Sequence, residues 1–316
     1  MSNIGENLWN KFLDLPTIRQ IITWAKKTTL PGFDKVPVYD TFLFAYKEMM
    51  KEDIMIRAKA MSFSFFIAIF PGIIFLLTLL PYLPFTDNYI EIWKTSLTGL
   101  LPVQAENYIF GIMDSLGKKT HVSSQLVSLF LMLYFTSNGV SSMLASFSKS
   151  YKETYKKRNY FEHKLRAIEI TFLLFLFLIL STGLVILGNI WLGYLFDKLN
   201  LSDFYIITIE ILRWFIVILL FYTIISLLYR YGPAMKRKIK FISPGAALAT
   251  FLAIISSIGF SYYVNNFSSY NKVYGSLGAI IITMIWIQLN SLALVIGYEL
   301  NASIAINRDL KNHKPE

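Results

Sequence analysis

The sequence predicts an all-α polytopic membrane protein with six transmembrane helices and both termini in the cytoplasm. Three observations predict it. The 316 residues are 55% hydrophobic and only 16% charged, against about 25% charged in soluble domains, and the mean hydropathy is +0.50. Six apolar stretches, about 60–80, 122–148, 167–195, 204–229, 244–264 and 276–302, each reach the ~20 residues that cross a hydrocarbon core of ~30 Å. Lys and Arg alternate between the connecting segments, with the excess expected on the cytoplasmic side.

The first segment, 1–57, reads as cytoplasmic and amphipathic. Leu8, Trp9, Phe12 and Leu13 cluster beside Lys11 and Asp14. A second helix, capped by Asp40, would carry Phe42, Leu43, Tyr46 and Met49. No cleavable signal peptide is expected, because no early apolar core precedes a small-residue cleavage site. Residues 1–59 hold nine of the 30 Lys and Arg.

The membrane domain is expected over 58–303, with a cytoplasmic tail over 304–316. The first span carries Pro71 and Gly72, which free backbone groups and should bend the helix. The loop 81–121 holds three basic and four acidic residues and lies outside. Within it, Ala105, Tyr108, Ile109, Ile112 and Leu116 recur at helical spacing after Pro102, which suggests a helix lying on the outer face. The second span turns polar toward its inner end, in "YFTSNGVSSMLASFSKS", and includes Asn138. The loop 149–166 holds seven basic residues, and 230–243 holds five; both belong inside by the same rule.

In lipid, helices associate closely through small residues. Gly245, Ala249, Ala253, Ser257 and Ser261 recur every four residues along the fifth span and form one packing face. That face could meet another helix of this chain or a second copy in a homo-oligomer. Ser243 should cap the span, with Pro244 at its first position. In the sixth span Ser276, Thr283, Asn290 and Gly297 repeat every seven residues, and Ala279, Trp286, Ala293 and Leu300 follow three later, an inward stripe with polar members.

The fourth span holds Glu210 and Arg213. A charge near the centre of a bilayer costs about 2.5–3.5 kcal/mol on insertion scales. Residues three apart share a helix face and can pair. Two readings stand side by side. The pair neutralises itself and fixes helix rotation, or Arg213 binds a phosphate or carboxylate in a cavity, with Glu210 holding it in place. Asn138 and Asn290 are the further substrate-binding candidates, set against a role as cross-helix amide glue. Glu169 and Glu299 sit near span ends and should meet basic loops.

The chain has no cysteine, which excludes disulfides and thiolate chemistry. His121, His163 and His313 are scattered without metal-ligand spacing, no P-loop is present, and no catalytic residue, metal site or cofactor is expected. The loop "KSYKETYKKRNYFEHKLR" interleaves basic and aromatic residues, which could bind RNA; orientation alone demands positive charge there. The expected partners are membrane lipids rather than nucleic acid.

Four stretches carry a likeness: "AKAMSFSFFIAIFPGIIFLL", "FTSNGVSSMLASFSKSY", "RYGPAMKRKIKFISPGAALAT" and "YGSLGAIIITMIWIQLNSLALVIGYELNA". The chain resembles the YihY/BrkB family of bacterial membrane proteins, once labelled ribonuclease BN, over roughly 40–305. The resemblance implies the cytoplasmic membrane, six spans and both termini inside. It implies no defined chemistry; suggested family roles include export or flipping of lipid-linked or amphiphilic molecules and resistance to host defence. A transporter or flippase for an anionic or amphiphilic substrate is therefore the first expectation. An oligomeric channel or scaffold is the alternative, and a ribonuclease a third. The third and fourth spans, with Glu210 and Arg213, match none of the quoted motifs.

Overall fold

A computed structural model of the chain describes residues 16–51, 54–79, 110–111, 122–148, 150–177, 180, 203–266 and 276–312. Eight helices lie among them: α1 Pro16–Lys27, α2 Val38–Lys51, α3 Ile54–Leu79, α4 Val122–Ser146, α5 160–177, α6 Asp203–Tyr231, α7 Pro244–Asn266 and α8 Ser276–Asn312. The described residues contain no strand, only one isolated antiparallel bridge between Tyr155 and Met235. Three described helices are long and apolar enough to cross a membrane, over Trp214–Tyr231, Pro244–Tyr263 and Ile280–Lys311. Large apolar side chains crowd the outside of the helices: Phe130 is 71% exposed, and Ile211, Trp214, Ile258 and Tyr262 are similarly bare. Water would not tolerate so continuous an apolar surface, whereas acyl chains would.

The helices pair as antiparallel neighbours. The start of α3 reaches the end of α4, where Arg57 donates to the Ser146 carbonyl at 2.6 Å. Further along, the Phe65 ring lies against Gly139, where a Cβ would come within 2.9 Å of it. α7 and α8 cross more closely still. A Cβ on Gly245 would stand 2.1 Å from the Gly297 carbonyl oxygen, and one on Gly297 would stand 2.5 Å from that of Gly245. Only hydrogen at both positions lets the two backbones touch, which is how apolar helices gain contact without a hydrophobic driving force.

The start of α7 is capped from two sides. The Ser243 hydroxyl accepts from the Ala246 amide, and Asn301 of α8 accepts from the Gly245 amide while donating to Ser243. These bonds satisfy amides that a helix start would otherwise leave open.

Several elements differ from expectation. α3 begins at Ile54 rather than at about 60, α5 begins at 160 rather than 167, and α8 continues to Asn312 instead of ending at 302. Apolarity marks where a helix meets lipid, not where it stops. Beyond residue 302, Ile304, Ala305 and Ile306 are buried, and Ile304 packs with Phe33 and Val38. α2 begins at Val38, so Asp40 lies in its first turn instead of capping it. The Leu8–Leu13 cluster, the segment 102–109 and the whole segment 181–200 lie outside the described residues. The backbone of α3 is helical through Pro71 and Gly72, whose side chains also lie outside them.

The segment between α1 and α2 folds back onto the bundle. Leu30, Pro31, Gly32 and Phe33 form a turn closed by the Phe33 amide on the Leu30 carbonyl at 3.1 Å. Gly32 supplies the positive φ of +89° that this turn needs at its third position. The same glycine lies against Pro244, where a Cβ would meet the ring at 2.9 Å, so the N-terminal segment docks on the start of α7.

Candidate functional site

The Lys- and Arg-rich segments of the sequence meet at one end of the helices. Asp34 bonds Lys240 at 2.6 Å and Arg308 at 2.8 Å, tying the α1–α2 segment to the α6–α7 loop and to the end of α8. Arg158 donates to the carbonyls of Gly232 and Pro233, and the Lys156 and Lys236 amides cross between the 147–159 and 232–243 segments. Tyr151 donates to Glu48 of α2 at 3.0 Å. Segments that repel by charge are thus held together by backbone acceptors and two acids, Asp34 and Glu48. Burial, together with the neighbouring Arg166 charge, draws the Arg158 guanidinium below its ordinary value.

An aromatic and ionic junction lies behind these contacts. Phe147 stacks on Tyr298 with centroids 4.2 Å apart, and Tyr229 meets the Phe147 ring edge-on at 5.7 Å. The Tyr155 and Tyr298 hydroxyls are 2.7 Å apart, and Tyr229 donates to the Leu294 carbonyl at 2.6 Å. Glu299, the next residue after Tyr298, is 1% exposed and bonds Arg57 at 2.6 Å. One aromatic stack and one ion pair therefore join α3, α6, α8 and the segment after α4.

A polar track lies beside the junction. Lys164, near the start of α5, donates to the Asn138 side chain of α4 at 2.9 Å. His163 lies 3.1 Å from both the carbonyl and the hydroxyl of Ser141. Ser142, one turn from Asn138, bonds the Asn138 carbonyl and approaches Ser64 of α3 at 3.4 Å. Asn138 is eight residues from the end of α4, or about 12 Å at 1.5 Å per residue. The Lys164 ammonium therefore reaches an amide about two turns inside the end of α4, and Ser141 and Ser142 follow Asn138 on the same helix.

The residues singled out in the sequence fall in different places. Asn138 belongs to this track. Asn290 donates to the Trp286 carbonyl of its own helix at 2.9 Å and lies on α8, away from Lys164. The side chains of Glu210 and Arg213 lie outside those described; their backbone belongs to α6. Gly245 and Ala249 are packed against α8, Ala253 is buried, Ser257 accepts from the Trp286 ring nitrogen, and Ser261 is exposed. Glu169 pairs with Arg166 on its own helix. Sequence reasoning did not single out Arg57, Lys164, Tyr229 or Asn301. Lys164 was hidden among the topogenic charges. Asn301 stood in view at the end of the most distinctive stretch, four residues after Gly297. Among the described residues, no group of three or more His, Asp or Glu stands where it could hold a metal ion.

The family model for virulence factor BrkB matches residues 45–316. The chain is 27% identical over 263 residues to a putative ribonuclease-like protein, YfkH, of Bacillus subtilis, covering 82% of this chain and 93% of that one. It is 35% identical over 94 residues to a UPF0761 membrane protein of Tolumonas auensis, covering 29% of this chain and 31% of that one. A UPF0761 membrane protein of Xanthomonas campestris is 35% identical over 92 residues, 29% of this chain and 21% of the relative. The chain thus spans a third or less of the UPF0761 proteins it matches. No solved structure matches. The family match takes in every helix from α3 onward together with the junction residues, and the chain is a membrane protein of the BrkB virulence factor family.

Proposed function

We propose that this chain is a transporter- or flippase-like protein for an anionic amphiphile, crossing a bacterial cytoplasmic membrane six times with both termini inside. The meeting of the N-terminal segment, the 147–159 and 232–243 segments and the end of α8 supports that topology. Chain that leaves one end of a bundle and returns to it crosses an even number of times. The positive charge gathered there favours the cytoplasmic side.

The observation that carries the functional reading is Lys164, held by the Asn138 side chain about two turns inside the end of α4, next to the His163–Ser141 contact. A cation among neutral donors and acceptors can exchange its amide partner for a phosphate or carboxylate, while the bare apolar exterior leaves acyl chains in lipid. No covalent step is required of any residue, so the reading takes the chain as a carrier, not an enzyme.

Proteoliposomes holding the purified chain test it. Fluorescent anionic phospholipid should become accessible to an external quencher faster than in empty vesicles. Lys164→Ala should slow that exposure, Lys164→Arg should retain part of it, and both variants should keep the wild-type melting behaviour. Equal rates with and without protein, for anionic and zwitterionic probes alike, would leave scaffolding as the better reading.

A further inference from the structure

The transport reading leaves one built feature without a task. The 237–240 segment, the turn at Gly32–Asp34 and the last turns of α8 enclose a cleft lined by Arg237, Lys238, Lys240 and Arg308. Ser243 and Asn301 also line it, and Lys164 is not among its walls.

We propose that this cleft binds the phosphate of an anionic phospholipid headgroup. Four cations face two carboxylates there. Asp34 is shared between Lys240 and Arg308, and Asp309 takes a second edge of Arg308, which leaves a local charge of about +2 by formal counting. Arg237 is exposed and has no acidic partner among the described residues. Lys238 is held at the rim, its ammonium 4.7 Å from the Tyr231 ring. The Nη2 of Arg308 is buried without a hydrogen-bond partner. That guanidinium is fixed by two acids, yet one of its forked donors stays unused. Arg237 is the guanidinium open to solvent, and arginine matches phosphate oxygens with two parallel N–H donors.

The start of α7 contributes position, not binding. Its first amides are already taken by Ser243 and Asn301, so charge and shape must select the ligand. Size limits it as well. The cavity is about 40 Å³, and one buried water needs about 10–15 Å³. A group of a few heavy atoms fits, and an acyl chain does not.

Depth identifies the source of the phosphate. Ser243, in the wall of the cleft, immediately precedes the candidate span Pro244–Tyr263. Ile242, one residue earlier, is 79% exposed, and Phe241 is also bare. Apolar side chains reaching outward within a few residues of exposed Lys238 and Lys240 are the profile of a lipid–water boundary, where hydrocarbon meets headgroups. A phosphate tethered to an acyl chain can occupy the cleft while its tail lies along Phe241 and Ile242. This assignment does not depend on lipid movement through the bundle.

The test uses the full chain in neutral detergent and native mass spectrometry of retained lipid. Phosphatidylglycerol, phosphatidylcholine and inorganic phosphate are titrated in separate arms. Phosphatidylglycerol should bind saturably and displace no more than one equivalent at this site. Arg237→Gln with Lys238→Gln, both surface changes, should weaken that binding about tenfold or more. Lys156→Gln with Lys157→Gln removes equal charge from the neighbouring loop and should leave affinity unchanged. The proposal is overturned if the two double variants lose affinity equally, or if inorganic phosphate competes as well as the lipid does. Failure of lipid movement in the proteoliposome assay, with this binding intact, would count against transport alone.

Discussion

Arg57 and Glu299, 242 positions apart in the sequence, meet at 2.6 Å with the carboxylate side chain 1% exposed. The same arginine also caps α4 through the Ser146 carbonyl. Removing one member of a buried pair strands the other charge, at about 3–5 kcal/mol, whereas replacing both by apolar residues is often neutral. Glu299→Met or Arg57→Met alone should therefore lower the melting temperature in detergent sharply. The double Met variant should recover much of the loss. A double variant as damaged as the sum of the singles would show that each residue acts independently.

The crossing of α7 and α8 predicts a contrast among glycines. Gly297→Ala places a methyl 2.5 Å from the Gly245 carbonyl oxygen and 2.6 Å from the Ala249 Cβ. Backbone cannot step aside there, so the helices must separate, and overpacking of this kind costs about 1–3 kcal/mol or more. Gly259→Ala on the same helix as Gly245 meets nothing within 4 Å. It should be neutral or raise stability by up to about 1 kcal/mol through helix propensity. Thermal unfolding of the two variants side by side checks the order.

Asn301 offers a test of the cap. It accepts from the Gly245 amide and donates to Ser243, and all three groups are buried. Asn301→Leu leaves the amide without its acceptor, which should cost about 1–3 kcal/mol. Hydrogen exchange should then rise at the first turn of α7 before it rises at the middle of that helix.

Acid should loosen the docking of the N-terminal segment. Burial by itself would raise the Asp34 carboxyl, but the bonds and charges of Lys240 and Arg308 outweigh it and hold the group below its ordinary value. A depressed carboxylate stabilises the fold above its ordinary value, and that contribution drains away as pH falls through the lowered one. Asp34 has φ of +48°, a conformation asparagine tolerates. Asp34→Asn should thus keep the turn while lowering stability near neutrality and flattening its decline as pH falls below the ordinary carboxylate value of about 3.9. Melting curves across that range measure both effects.

The sequence is most legible where one physical demand acts on many residues. Small side chains at intervals of four marked the α7 face because close approach of backbones needs Gly245, Ala249 and Ala253 together. Apolar runs marked the starts of α4, α6, α7 and α8 to within a residue. Helix ends that leave lipid were not legible in this way. Ile304 of α8 finds its apolar neighbours in Phe33 and Val38, and nothing local announces that partner. Arg57 and Lys164 each looked like one more basic residue near a span end. What distinguishes them is the acceptor each finds on a distant helix, Glu299 and Asn138. Asn290 shows the reverse, since its position in a regular stripe suggested a cross-helix bond and its amide serves its own helix instead.

Sidedness tests the account most directly. The chain contains no cysteine, so single cysteines at the exposed positions Lys157, Lys236 and Lys311 can each be labelled without interference. The shared basic end predicts that a membrane-impermeant maleimide leaves all three untouched in intact cells and modifies all three once the inner face is opened. Labelling of any one of them from outside would contradict it.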